Sequence, residues 1–319
     1  MNHLLTTAVV AASLIGGDLC AAPLTRDAPV PVSTVLTVDG VSCGLVTKWD
    51  GGDMRAGMIL ENGLVLKHQG MAQSAPVSFE VPFPCAKPLM DLIADLCAGR
   101  QKRANLVLAD VSSGGTPEVH ALEVHNALLA EVRFPALSSK DPLRVTLVFQ
   151  GDYAQSSAPP PPLPGALRNG FVPTSFGFEI PGVDLSRISR VEAFTIKRKV
   201  AFDDLGDSKG ATMTHAEQTE IPNILVTLPR EHSDGLAAWR DASFAASPGS
   251  NEKNGTLNLL DGSARAIVTF QFTNLGILRL SVVPNAGPAP RLMQAEFYCE
   301  NISITVPEIK TEATRRTSS

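Results

Sequence analysis

Six histidines, two clusters of aspartates and five cysteines are the residues here whose types could do chemistry. His120 and His125 lie in one segment that alternates like a strand. Strand side chains alternate faces, so an odd separation puts the two on opposite sides, and they cannot share a metal unless the strand bulges. His68 and His215 fall near loops, and His232 precedes a helical segment, where polar residues are ordinary. "DGGD" (residues 50–53) and "FDDLGDSKG" (residues 202–210) place carboxylates beside glycines. Such oxygens suit calcium, but the donor spacing of an EF-hand loop is absent, and flexible turns are the simpler reading. Cys20, Cys43, Cys85, Cys97 and Cys299 form no C-x-x-C pair. Cys85 and Cys97 flank a predicted helix over residues 88–98. That spacing separates their Cα atoms by roughly 15 Å, beyond disulfide reach. The cysteines therefore read as small buried hydrophobes. No G-x-S-x-G, P-loop or H-E-x-x-H motif occurs. The expectation is a chain without catalytic residues, metal ligands or cofactor.

Composition narrows the field further. The 319 residues are 44% hydrophobic and 18% charged, a globular balance long enough for two cores. The net charge of −5, with no long Lys/Arg run, argues against nucleic-acid binding. An uncharged apolar run at residues 4–17 is too short to span a membrane. Residues 1–24 read either as a secretory signal cut near Ala22 or as a disordered tail. No Lys or Arg precedes the run, and both readings stay open. The first implies an exported protein, periplasmic or extracellular. The second implies a cytoplasmic or particle-borne one.

The remaining chain is rich in strand patterns. Strands are expected at residues 33–41, at 58–68 around the turn dipeptide Asn62-Gly63, and at 76–83. Leu89, Leu92, Ile93, Leu96 and Cys97 then recur at helical spacing, with Pro88 at the start and Gly99 after the end. Strands resume through residue 150, where Leu143, Val145, Leu147 and Phe149 share a face. Four consecutive prolines, Pro159 to Pro162, then predict a stiff spacer between two units. Beyond it the order returns: strands over 176–200, a polar loop over 201–220, a strand over 223–229, a helix and further strands. The helix, over 232–246, has Leu236, Trp239 and Phe244 as apolar anchors and Ser233 or Asp234 as N-cap.

Matching the two runs gives nearly constant offsets. Gly40 to Gly182 is a shift of 142; Pro82 to Pro229 and Leu92 to Trp239 are shifts of 147; Asn126 to Asn274 and Phe149 to Phe297 are shifts of 148. The change from 142 to 147 falls in a long loop, where insertions are cheap. Element order and register agree although identity is low, so an internal duplication is expected. The matched pair Asn126 and Asn274 would satisfy backbone groups at a buried sheet corner.

One repeat then reads as strands, a long loop, a strand, a helix and a closing set of strands. The second run, "FGFEIPGVDLSRISRVEAFTIKRKV", "LPREHSDGLAAWRDASF" and "FTNLGILRLSVVPNAGPAPRLMQAEFYCENISI", resembles the contractile-phage tail tube family. The first run carries a similar ending, "LEVHNALLAEVRFPALSSKDPLRVTLVFQ". The resemblance implies a mainly β (β+α) fold of two tandem antiparallel β-barrel or sandwich domains, each with one packed α-helix. The expected divisions are domain 1 at 25–155, a Pro-rich linker at 156–169, domain 2 at 170–306 and a disordered tail at 307–319. Family members form hexameric rings that stack into tubes, as do the related hemolysin-coregulated tube proteins of type VI secretion. The implied function is structural and non-enzymatic. Three two-domain chains would make a pseudo-hexameric ring, with the chain itself and sheath or baseplate-like proteins as partners. By that resemblance the loops at 50–58 and 203–212 would touch neighbouring subunits, through Asp50, Asp53, Arg55, Asp203, Asp204, Asp207 and Lys209. Gly40, Gly182, Asn126, Asn274 and Trp239 would hold the fold. An exported or cell-surface binding module that keeps the fold without forming tubes is the alternative.

Overall fold

The computed structural model describes residues 32–61, 66–112, 117–137, 143–157, 175–204, 212–284 and 291–307. The N-terminal segment 1–31, Asn62-Gly63, the prolines of the linker, Asp207, Lys209 and the tail from 308 onward lie outside the described residues. The described residues are mainly β, with one α-helix in each half.

The first half contains β1 (Val32–Val38), β2 (Val41–Gly51), β3 (Met54–Glu61), β4 (Leu66–Ser74), β5 (Val77–Pro82), α1 (Lys87–Cys97), β6 (Arg103–Ser112), β7 (Pro117–Phe134), β8 (Arg144–Gln150) and β9 (Tyr153–Ser157). Strands β1, β2, β5, β8, β7 and β6 close an antiparallel barrel, because β7 pairs both β6 and β8. Alternation explains its interior: Val77, Phe79 and Val81 face Val145, Leu147 and Phe149, all buried. Phe79 and Phe149 stack with centroids 5.6 Å apart. β1 turns into β2 through Asp39 and Gly40, both with positive φ, the two-residue turn whose twist matches the strands. The helical stripe from Leu89 to Cys97 is buried as spaced, and Gly99 follows with φ of 71°.

The second half contains β10 (Ser175–Glu179), β11 (Arg190–Val191), β12 (Phe194–Asp204), β13 (Thr212–Glu220), β14 (Ile224–Pro229), α2 (Asp234–Ala245), β15 (Lys253–Leu260), β16 (Ala266–Val282), β17 (Leu292–Tyr298) and β18 (Asn301–Thr305). Several of its ladders repeat the register of the first half. Val77 pairs Phe149 and Pro82 pairs Arg144; Ile224 pairs Phe297 and Pro229 pairs Leu292. The β7–β8 ladder slips after Leu129, and the β16–β17 ladder slips after Ile277, 148 residues on. The β3–β4 hairpin is irregular between Ala56 and Met58, and β12–β13 between Arg198 and Val200, at an offset of 142. Closure differs. Where β2 seals the first barrel, the second has the short β11 and residues 184–189, and a cleft of 540 Å³ opens beside β10.

Several expected loops and anchors take other forms. Residues 201–220 are mostly strand, β12 running to Asp204 and β13 starting at Thr212. Asp50 lies on β2, Asp53 in the turn after it and Arg55 on β3. These segments are polar because their hairpins are held by ladder bonds rather than by burial, which removes the apolar alternation that marks a strand. Phe244 is 65% exposed and anchors nothing among the described residues, whereas Leu236 and Trp239 are buried. Trp239 stacks on Phe297 at 5.7 Å and donates from Nε1 to the Asn251 carbonyl at 2.9 Å. Ser233 occupies the N-cap position, but its hydroxyl donates to the Arg230 carbonyl instead of capping.

Asn126 and Asn274 are exposed, not buried. Their φ angles of 56° and 52° explain the residue type, since Asn tolerates the left-handed region better than other side chains. Each backbone N–H donates to an asparagine oxygen, Asn105 at 3.0 Å and Asn254 at 3.2 Å. Each amide donates to a carboxylate, Asp152 at 2.7 Å and Glu300 at 2.6 Å. Asn126→Gly should therefore lose only the amide bonds, while Asn126→Ala should lose them and strain the corner. Urea unfolding should rank Ala below Gly by about 1 kcal/mol; equal stabilities would refute the left-handed constraint.

Candidate functional site

The feature with the most built-in chemistry is the joint between the halves. The start of β12 pairs with the end of β7: Phe194 with Phe134, Thr195 with Arg133, Ile196 with Val132 and Lys197 with Glu131. A second-half hairpin thereby extends the first-half sheet to β13. An isolated bridge between Leu137 and Val191 continues the contact. Four phenylalanines lie beneath it. Phe134 stacks on Phe194 at 4.8 Å and meets Phe270 edge-on at 5.3 Å, while Phe83 meets Phe134 edge-on at 5.4 Å. Offset and edge-on pairs suit the ring quadrupole and add to the gain from burial.

A polar layer locks the hairpin in place. Asp152 accepts from the Thr214 amide at 2.8 Å, its hydroxyl at 2.7 Å and the Asn126 amide. Arg103 donates to Asp152 at 3.3 Å, to the Thr214 hydroxyl at 3.0 Å and to the Thr214 carbonyl. Burial opposes ionisation of Asp152, but the Thr214 and Asn126 bonds and the Arg103 charge outweigh it and hold its pKa below the usual carboxylate range. Arg198 is buried and donates to the Arg100 carbonyl at 2.9 Å, and its own burial pushes its pKa down. Thr219 donates to the Leu96 carbonyl at 3.1 Å and Gln101 to the Ala216 carbonyl at 2.9 Å. Helix α1 completes the face, packing on β12 and β18 as well as on β2 and β7.

Among the described residues no group of three His, Cys, Asp or Glu could hold a metal. His125 stacks on Tyr153 at 4.3 Å and lies 3.3 Å from Glu123. The four described cysteines are free, and burial pushes Cys43 up to about 11 and Cys97 and Cys299 up to about 12, which keeps them unreactive as nucleophiles. No helix of the described residues is long and apolar enough to cross a membrane.

Of the residues singled out from sequence, Asn126 belongs to this joint through Asp152, and Asp203 and Asp204 end the β12 strand that forms it. Asp50, Asp53 and Arg55 lie at the corresponding place on the first half, away from the joint. Sequence reasoning missed Asn105, Asn254, Asp152 and Glu300. The signal was available: Asn105 to Asn254 is an offset of 149 and Asp152 to Glu300 one of 148, beside the offset of 148 between Asn126 and Asn274.

No protein-family model matches the chain, and no curated protein matches it in sequence. Solved structures do resemble part of it. A chain of the anti-feeding prophage baseplate is 12% identical over 42% of this chain and 93% of its own length, with a TM-score of 0.34. A chain of the PVC sheath–tube complex, from an extracellular contractile injection system, is 19% identical over 42% of this chain and 94% of its own, with a TM-score of 0.35. A chain of the anti-feeding prophage tube-terminating cap is 15% identical over 45% of this chain and all of its own, with a TM-score of 0.35.

The depressed pKa of Asp152 fixes a sign. Its contribution to stability is complete above the ordinary aspartate value of 3.8 and is lost as pH falls through the lower folded value. Melting curves taken at descending pH should fall below that point for the native chain. Asp152→Asn should melt lower at neutral pH and lose that part of the slope. An unchanged slope would remove Asp152 from the joint's energetics.

Proposed function

We propose that this protein is a non-enzymatic structural subunit that assembles with copies of itself into rings or tubes of the contractile-injection type. Two copies of one fold in tandem, 25–155 and 170–306, would supply two of six positions in a ring, so three chains would close it. The observation that carries this reading is the head-to-tail joint inside the chain. Equivalent halves meet through non-equivalent faces, the end of β7 on one and the β12–β13 hairpin on the other. Heterologous contacts of that kind leave an unused copy of each face and build rings when the rotation closes. The residue patterns shared with tail tube proteins support the same reading. Asp50, Asp53 and Arg55 would then meet a neighbouring chain, and sheath or baseplate-like proteins would contact the outer surface.

Negative-stain images of the purified chain should show rings, and light scattering should give the mass of three chains. A monomer at micromolar concentration without rings would overturn the proposal and favour an exported or cell-surface binding module.

A further inference from the structure

We infer that the joint inside the chain is repeated between chains: the β3–β4 hairpin and β9 of one copy seat on the free edge of β16 and on α2 of a second copy. This deepens the ring reading above and rests on it for the closure of the assembly. The pairing itself is argued from this chain's own register. An offset of 148 carries residues 131–134 of β7 onto residues 279–282 of β16. That stretch pairs β17 on one side and no strand on the other among the described residues. An offset of 142 carries residues 194–197 back onto residues 52–55, at the start of a hairpin that forms a two-stranded sheet of its own.

Among the described residues both faces lack a cover. Phe134 is 3% exposed, but Val282, at its place in the second half, is 53% exposed. Cys97 on α1 is 4% exposed, but Phe244, at its place on α2, is 65% exposed. On the opposite side Val191 is buried while Trp49 is exposed, and Ile196 is buried while Met54 is 46% exposed. Leu278 on β16 and Tyr153 on β9 are also exposed. Large apolar side chains therefore crowd the two places where the fold predicts a joint and has not made one. An uncovered strand edge among them is a template for pairing.

The register follows from the observed joint. Met54 would pair with Leu280, Asp53 with Ser281 and Gly52 with Val282. The floor is also prepared. Phe194 lies 6.0 Å from Phe270, and Gly52 lies against Leu122, which occupies the place of Phe270. A Val282 side chain would land on Gly52 and Leu122 as Phe134 lands on Phe194 and Phe270. Arg55 would oppose Arg279, whose charge is already held by Glu296 at 3.3 Å. At the polar end Glu300 takes the place of Asp152 and accepts from the Asn274 amide at 2.6 Å.

The test uses the full chain. Val282→Asp and Met54→Asp change exposed side chains, so each should fold with an unchanged melting temperature. In sedimentation velocity each should raise the dissociation constant at least about tenfold. A Met54→Cys, Leu280→Cys double variant should form covalent multimers under mild oxidation, while the single variants, carrying the same native cysteines, should not. Rings that persist in both Asp variants, with no crosslink in the double variant, would overturn this joint and leave the ring reading standing. A native chain that never self-associates would overturn both.

Discussion

The architecture depends on one left-handed residue in a long strand. β7 pairs on both edges with four partners: β6 and β9 along its first part, β8 and β12 along its last. A straight strand cannot serve two sets of neighbours that lie at different angles. The change of direction falls at Asn126, where φ is 56°. Up to Leu128 the strand pairs β6; from Leu128 on it pairs β8, and from Glu131 its other edge meets the second half. The corner is held from two sides, by Asn105 on its amide and by Asp152 on its side chain. Asp152 in turn holds Thr214 of the other half. Barrel closure and the joining of the halves thus meet in one hydrogen-bonded cluster, as expected where neighbouring polar groups polarise one another.

The strand and helix patterns were legible wherever burial is one-sided. Leu143 to Phe149 alternate because their other face leaves the core, and the α1 stripe has one buried side. The nearly constant offsets were legible for a related reason. Register is fixed by parity, and a slip of one residue would turn a whole face outward. The polar β12–β13 hairpin was not legible, because Lys197, Asp203, His215 and Glu220 are placed by ladder pairing and carry no apolar period. Phe244 shows a second limit. Periodicity assigns a residue to a face, but not whether anything covers that face. On α1 the cover comes from β12 and β18, elements more than 90 residues further along the chain, and no local pattern announces it.

The matched asparagines show a third limit. The pairing of Asn126 with Asn274 is visible from the offset alone, yet the reason for asparagine lies in the backbone and not in burial. A polar residue within an apolar strand reads as a buried amide until φ is known. Once the corner is seen, its partners follow at the same offset, including the exchange of Asp152 for Glu300. The longer side chain still reaches the asparagine amide, so the hydrogen bond survives the exchange.

Backbone register and side-chain identity therefore diverge in a directed way. Turns, bulges and pairing agree between the halves, and they set where a joint can form. The side chains at that joint differ: Phe194 against Gly52, Phe270 against Leu122, Phe134 against Val282, Cys97 against Phe244. Phe134 needs a broad aromatic floor, and Gly52 over Leu122 does not supply one. Val282 placed on Phe194 would leave part of that ring uncovered, and a void at a packed contact forfeits dispersion from its whole lining. The inner joint and the proposed outer one, built on one backbone plan but filled with unlike side chains, would discriminate between partners without any change of register. Such discrimination would keep the β12–β13 hairpin on its own first half and leave β3–β4 for a different surface.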